Sequence, residues 1–87
     1  MPARFDIISQ GEELLAGQAV DTNAPWISAT LQGLGLRPGR VTVVGDDLEQ
    51  IREVIAESAA RAELVVCTGG LGPTSDDLTR EAAAAAF

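Results

Sequence analysis

The chain has no histidine, no lysine and no tyrosine among its 87 residues, and one cysteine. Without histidine, imidazole catalysis and imidazole metal ligation are excluded within these residues. Without lysine, a phosphate-binding loop of the GxxxxGK[ST] type is excluded. A single cysteine allows no internal disulfide and fits a reducing compartment. No apolar run reaches the length that crosses a bilayer, and "MPARFDIISQ" lacks the apolar core and cleavage site of a signal peptide. The expectation is a soluble, cytoplasmic protein with no membrane partner. Any general acid, general base or metal ligand must be Asp or Glu, a donor set that suits hard ions.

What is present is acid. Thirteen acidic residues face 6 basic ones, a net charge of -7. Such a balance repels nucleic-acid backbone, so no nucleic-acid partner is expected. A small anionic ligand is compatible with it, because backbone amides or a divalent ion can hold phosphate.

Strand and helix patterns alternate along the chain. "FDIIS" (Phe5 to Ser9) reads as a strand. A helix then starts near Asp21-Thr22-Asn23 with Pro25 in its first turn, and Ile27, Leu31 and Leu34 form one apolar face that stops at Gly35. "RVTVV" (Arg40 to Val44) reads as a second strand ending at Gly45. Asp47 and Gln50 have capping-box spacing, and Leu48, Ile51, Ile55 and Ala59 line one face of the next helix. "LVVCT" (Leu64 to Thr68) is a third strand, apolar enough to be covered on both faces, with Cys67 expected as a small core residue. Thr74 and Asp77 repeat the capping-box spacing before a final helix. The order βαβαβα predicts an α/β fold with a mostly parallel sheet. Three strands make a thin core, so the chain is expected to be part of a larger domain, with no second domain.

Parallel strands bring their exits to one sheet edge, where open α/β sheets bind ligands. Here the exits are "SQGEELLAG", "VVGDD" and "TGGLGPTSDD", which place Glu12, Glu13, Asp46, Asp47, Asp76 and Asp77 around glycine-shaped backbone. Gly69, Gly70 and Gly72 allow close approach of backbone to a ligand, and the following helix would aim amides at it. The same loop also reads as a plain strand-to-helix turn. Asp47 and Asp77 also read as helix caps, Glu12 and Glu13 as solvated residues, and Trp26 as helix packing. Residues alone lead to an anion-binding α/β half-domain.

Three strings narrow this. "TGGLGPTSDDLTREA", "IISQGEELLAGQAVDTNA" and "VVGDD" together resemble the N-terminal domain of the CinA (competence/damage-inducible) family, in the MoaB/Mog-like molybdopterin-binding superfamily. The resemblance spans nearly the whole chain. It implies a three-layer α/β/α domain about twice this long, of which the chain is the first half. It further implies a cleft for a phosphate-bearing nucleotide or pterin, formed by Gly11, Asn23, Thr68, Gly69, Gly70, Leu71, Gly72, Pro73 and Thr74. Hydrolysis of ADP-ribose to AMP and ribose 5-phosphate is implied, with Asp46 and Asp77 catalytic. A divalent ion (magnesium, manganese or cobalt) would be held by Asp46, Asp76 and Asp77. Assembly as a homo-oligomer, dimer or trimer, is implied too. Nicotinamide mononucleotide deamidation belongs to a C-terminal domain that these residues do not contain. The alternative is a binding module of the same superfamily that does not hydrolyse its ligand. Leu71 stands where Mog-like loops carry threonine, which tilts the choice to the CinA branch, and Glu12 stands where CinA members commonly carry a small hydroxyl residue.

Overall fold

The computed structural model describes residues 3–69. Its elements run β1 (Arg4–Gln10), α1 (Glu12–Leu15), α2 (Asn23–Gly33), β2 (Arg37–Val44), α3 (Leu48–Ala59) and β3 (Leu64–Thr68). The strands form one parallel sheet in the order β2-β1-β3. The expected strands and the two longer helices are present. The one-turn α1 is an addition to the expected elements, because its four residues are too few to show a helical period.

β1 lies at the centre, and every residue from Phe5 to Gln10 is buried. Alternation sends Phe5 and Ile7 to one face, where they pack on Ala24, Ile27 and Leu31 of α2 and on Leu36. Ile8 points the other way, into a cluster with Val44, Ile51 and Ile55, bordered by Leu48, Val54 and Val65. α3 meets this face through the positions its apolar spacing predicts. Asp47 caps it, its Oδ1 accepting the Gln50 amide at 3.2 Å, while Gln50 Oε1 accepts the Gly45 amide. The capping aspartate is therefore confirmed. The α2 face is narrower than its sequence suggests. Trp26 is 70% exposed and Leu34, the C-cap, 73% exposed, so neither packs as expected. β3 borders only β1 among the described residues, and its burial is partial rather than two-sided. Cys67 is exposed, which corrects its placement in the core. Partial desolvation raises its thiol above the ordinary value, the opposite of an activated nucleophile.

β2 begins three residues earlier than "RVTVV" implies. Phe5 faces Pro38 and Ile7 faces Val41, so Gly39 and Arg40 together oppose the single Asp6. This β-bulge has a cause. Asp6 is completely buried, and its Oδ1 accepts the Arg40 amide at 2.9 Å while its Oδ2 accepts Arg61 Nε at 3.0 Å. Arg4 Nε lies 3.5 Å from Oδ1. A Cβ at Gly39 would collide with the Asp6 carboxylate, so glycine is required where the bulge crosses it. Burial alone would raise the Asp6 carboxyl, but the Arg40 amide and the Arg61 guanidinium outweigh it and hold it below the usual range.

A carboxyl whose folded pKa is depressed contributes stability above its unfolded pKa, near 3.9, that disappears as pH falls through the folded value. Melting temperatures of the intact protein should hold steady from neutrality to about pH 5 and drop below about pH 4. Asp6→Asn should flatten that acid limb. At pH 7 Asp6→Ala should lose about 2 to 4 kcal/mol in denaturant unfolding, since it strands Arg61 and the Arg40 amide. An acid limb unchanged in Asp6→Asn would assign the transition to other carboxylates.

Candidate functional site

The carboxyl ends of β1 and β3 and the start of α2 enclose a cleft of about 230 Å³. Gln10, Glu13, Leu14, Asp21, Asn23, Thr68 and Gly69 are among the residues that line it. This is the sheet edge at which parallel α/β folds bind ligands.

β1 supplies the floor. Ser9 is buried on the α2 face, beside Thr68 of β3 in register. Its hydroxyl donates to Asp21 Oδ2 at 2.5 Å, and Thr68 Oγ1 donates to Ser9 Oγ at 3.4 Å. Asp21 Oδ1 accepts the Ala24 amide at 3.1 Å and so caps α2, two residues ahead of the first helical residue. One carboxylate thereby joins the helix start to β1, and through Ser9 to Thr68 of β3.

The next residue, Gln10, points to the other face. Its Nε2 donates to Asp46 Oδ1 at 2.9 Å. Asp46 sits just past β2, and its amide donates to Glu12 Oε1 at 2.7 Å. Glu12 therefore brackets the turn after β2 while remaining exposed, as the solvated reading expects. Gly45 makes this possible, because a Cβ there would collide with the same Glu12 oxygen.

Gly69 closes the cleft on the β3 side with φ +83°, and a Cβ would strike the carbonyl oxygen of Gln10. The glycine run suggests approach of backbone to a ligand; the approach present among the described residues is to Gln10, within the fold. Gly11 behaves otherwise. Its φ of 165° is ordinary extended backbone, its amide donates to the Val44 carbonyl at 2.9 Å, and it is not among the cleft-lining residues.

The structure therefore gathers Asn23, Thr68 and Gly69 into one cleft, while Asp46 does not line it and connects to it only through Gln10. Gly70, Leu71, Gly72, Pro73, Thr74, Asp76 and Asp77 lie outside the described residues. Among the described residues no group of three or more Asp, Glu or Cys side chains is placed to hold a metal ion. Asp46 already engages Gln10 through one oxygen and Glu12 through its amide. Of the three carboxylates expected to hold a divalent ion, only Asp46 lies among the described residues, with its Oδ1 on Gln10. Ser9 and Gln10 are the contributors that motif reading misses; their only signal is polarity at the end of an apolar strand. Asp21 is read in sequence as part of the helix start, and its bond to Ser9 is what that reading does not show.

A second hollow of about 370 Å³ lies between α2 and β2, lined by Asp21, Ala24, Pro25, Ser28, Val41 and Val43. It is larger but mostly apolar, with no convergence of polar groups at a strand end, so the cleft is the better candidate.

Comparison with known proteins agrees with this geometry. Residues 6–87 match the family described as "Probable molybdopterin binding domain". The chain belongs to this family. A CinA-like protein of Anaeromyxobacter dehalogenans is 54% identical over 82 residues, covering 94% of the chain and 20% of that protein. One from Shewanella sediminis is 49% identical over 84 residues, again 20% of its length. The chain thus spans about a fifth of these curated relatives. The crystal structure of CinA from Thermoplasma acidophilum, of unknown function, superposes with a TM-score of 0.90 at 40% identity. The match covers 95% of this chain and 51% of that one. The molybdopterin biosynthesis enzyme MoaB of Thermus thermophilus gives 0.85 at 26% identity, covering 94% and 53%. The fold is the MoaB/Mog-like α/β fold, and the chain amounts to about half of such a domain. Among the described residues no helix is long and apolar enough to cross a membrane.

The glycine contact gives a paired test. Gly69→Ala should lose at least about 2 kcal/mol in denaturant unfolding of the intact protein, from positive φ and the clash with Gln10. Gly33→Ala, at the end of α2 with nothing within 4 Å of the added carbon, should be neutral or stabilising by up to about 1 kcal/mol. Equal effects at the two positions would mean that Gly69 can move away from Gln10.

Proposed function

We propose that the cleft holds a small phosphate-bearing nucleotide or pterin, and that the intact protein hydrolyses the pyrophosphate bond of ADP-ribose there. The reading is carried by one observation. In a member of the molybdopterin-binding family, Gly69 brings its backbone against Gln10 at the cleft, while Gln10 holds the Asp46 carboxylate at the adjoining strand end. Binding and a carboxylate are thereby tied to one residue.

In the hydrolytic step a water oxygen bonds to one phosphorus, the bridging P–O bond breaks, and AMP and ribose 5-phosphate leave. Asp46 is the described carboxylate suited to orient that water and accept its proton. Gln10 fixes one of its oxygens, which limits the orientations open to the group. Molybdopterin handling without hydrolysis is the second reading, favoured by the likeness to MoaB.

The decisive assay incubates the intact protein with ADP-ribose, with and without magnesium, manganese or cobalt, and follows AMP. Asp46→Asn should lower turnover by about a hundredfold or more while the melt shifts little. It keeps an oxygen for Gln10 but cannot accept a proton from water. AMP release unchanged in Asp46→Asn would remove Asp46 from the chemistry. Absence of AMP from the wild type under all three ions, with pterin binding retained, would favour the second reading.

A further inference from the structure

The hydrogen bonds behind the cleft have a direction, and the direction constrains the ligand. A carboxylate only accepts, so Asp21 takes a proton on each side: the Ala24 amide on Oδ1 and the Ser9 hydroxyl on Oδ2. Ser9 has one hydroxyl proton, and the 2.5 Å contact with a carboxylate claims it. Toward Thr68, Ser9 can then only accept, so the hydrogen bond between the two hydroxyls, long at 3.4 Å, runs from Thr68 to Ser9. What Thr68 turns to the cleft is a lone pair. The remaining charged side chains lining the cleft are the carboxylates of Glu13 and Asp21, and no basic side chain lines it among the described residues.

From this the geometry points to a recognition rule: the Thr68 corner of the cleft accepts a neutral hydrogen-bond donor, a sugar hydroxyl or a pterin ring N–H, and not a phosphate oxygen. Thr68 is a specificity-determining residue, and Ser9 and Asp21 are positioning residues that fix its polarity. The inference rests on the reading that the cleft binds a nucleotide or pterin. It moves Thr68 out of the phosphate-binding set in which the loop motif placed it. A phosphate oxygen facing Thr68 would meet a lone pair, with two carboxylates nearby.

The polarity can be reversed by one atom. In Asp21→Asn the Ala24 amide still requires an acceptor, so it holds the side-chain oxygen and leaves the NH₂ facing Ser9. Ser9 must then accept from residue 21 and donate to Thr68, and Thr68 turns its proton into the cleft. Asn is as good a cap as Asp, so the helix start is preserved.

The test is calorimetric binding to the intact protein of four probes: AMP, 2′,3′-dideoxy-AMP, 6-hydroxymethylpterin and pyrophosphate. Thr68→Val and Asp21→Asn should each weaken the donor-bearing probe between about threefold and tenfold, the worth of one neutral hydrogen bond. Thr68→Ser should restore it, and pyrophosphate affinity should not fall in any variant. Loss confined to AMP, with dideoxy-AMP unaffected, assigns the donor to the ribose; loss confined to the pterin assigns it to the ring. Either supports the rule. If Thr68→Val weakens pyrophosphate as much as the other probes, or weakens none, the rule is wrong although the cleft still binds. If the wild type binds none of the four, the nucleotide or pterin reading itself fails and the rule falls with it. Melts of each variant separate these losses from unfolding, and Asp21→Asn carries the test if Thr68→Val does not fold.

Discussion

A polar side chain on a strand buried from both faces must find a partner, and β1 carries three. Asp6, Ser9 and Gln10 are each nearly inaccessible to water in the middle of the sheet. Leaving any of them unpaired would cost on the order of 1–3 kcal/mol, more for the charged Asp6. Each therefore recruits a different segment. Asp6 draws in the β2 bulge and Arg61 beyond α3. Ser9 draws in Asp21 and the start of α2, and Gln10 draws in Asp46 beyond β2. Apolar packing fixes the layers, but these three obligations set where the loops at each end of the sheet must go.

The same alternation divides the two ends of the strand by task. Asp6, near the amino end, is surrounded by guanidinium groups and closes the edge away from the cleft. It serves stability. Ser9 and Gln10, at the carboxyl end, face opposite sides of the sheet and reach different loops, one feeding the cleft wall and the other a carboxylate. Family membership alone would not separate these roles, since the family match spans Asp6, Ser9 and Gln10 alike.

Much of this is legible in the residues where periodicity or turn chemistry carries the signal. The parallel α/β order and α3 with its Asp47 cap both follow from spacing. What escapes has no local signature. Asp6 interrupts an apolar run by one residue, and nothing nearby in sequence reveals that Arg61 lies 55 positions on. Trp26 and Cys67 are misplaced by sequence for a related reason. Their types suit a core, but burial depends on what stands opposite, and helix and strand patterns do not report that. The motif credits Gly11 with ligand contact because of its neighbours, yet its amide completes the pairing with Val44. The aspartates and glycines beyond position 69 are read from the motif alone.

The cleft and the Asp46 carboxylate are separated by the sheet and joined at one point. Ser9 governs the α2 side through Asp21 and Thr68, and Gln10 governs the α3 side through Asp46. Adjacent residues on a strand cannot point the same way, so Ser9 and Gln10 must reach opposite faces of the sheet. The two sides meet only where the sheet ends and its faces become a single rim. There Gly69 lies against the Gln10 carbonyl, too close for any side chain. A larger residue at that position would push β3 away from β1, parting Thr68 from Ser9 and carrying the cleft wall away from Asp46 together. The glycine is thus required by the meeting of β1 and β3 itself, whatever the cleft holds. It keeps Thr68 beside Ser9 and the Gln10 backbone against β3 in one frame, so the two faces of β1 are closed by a single contact.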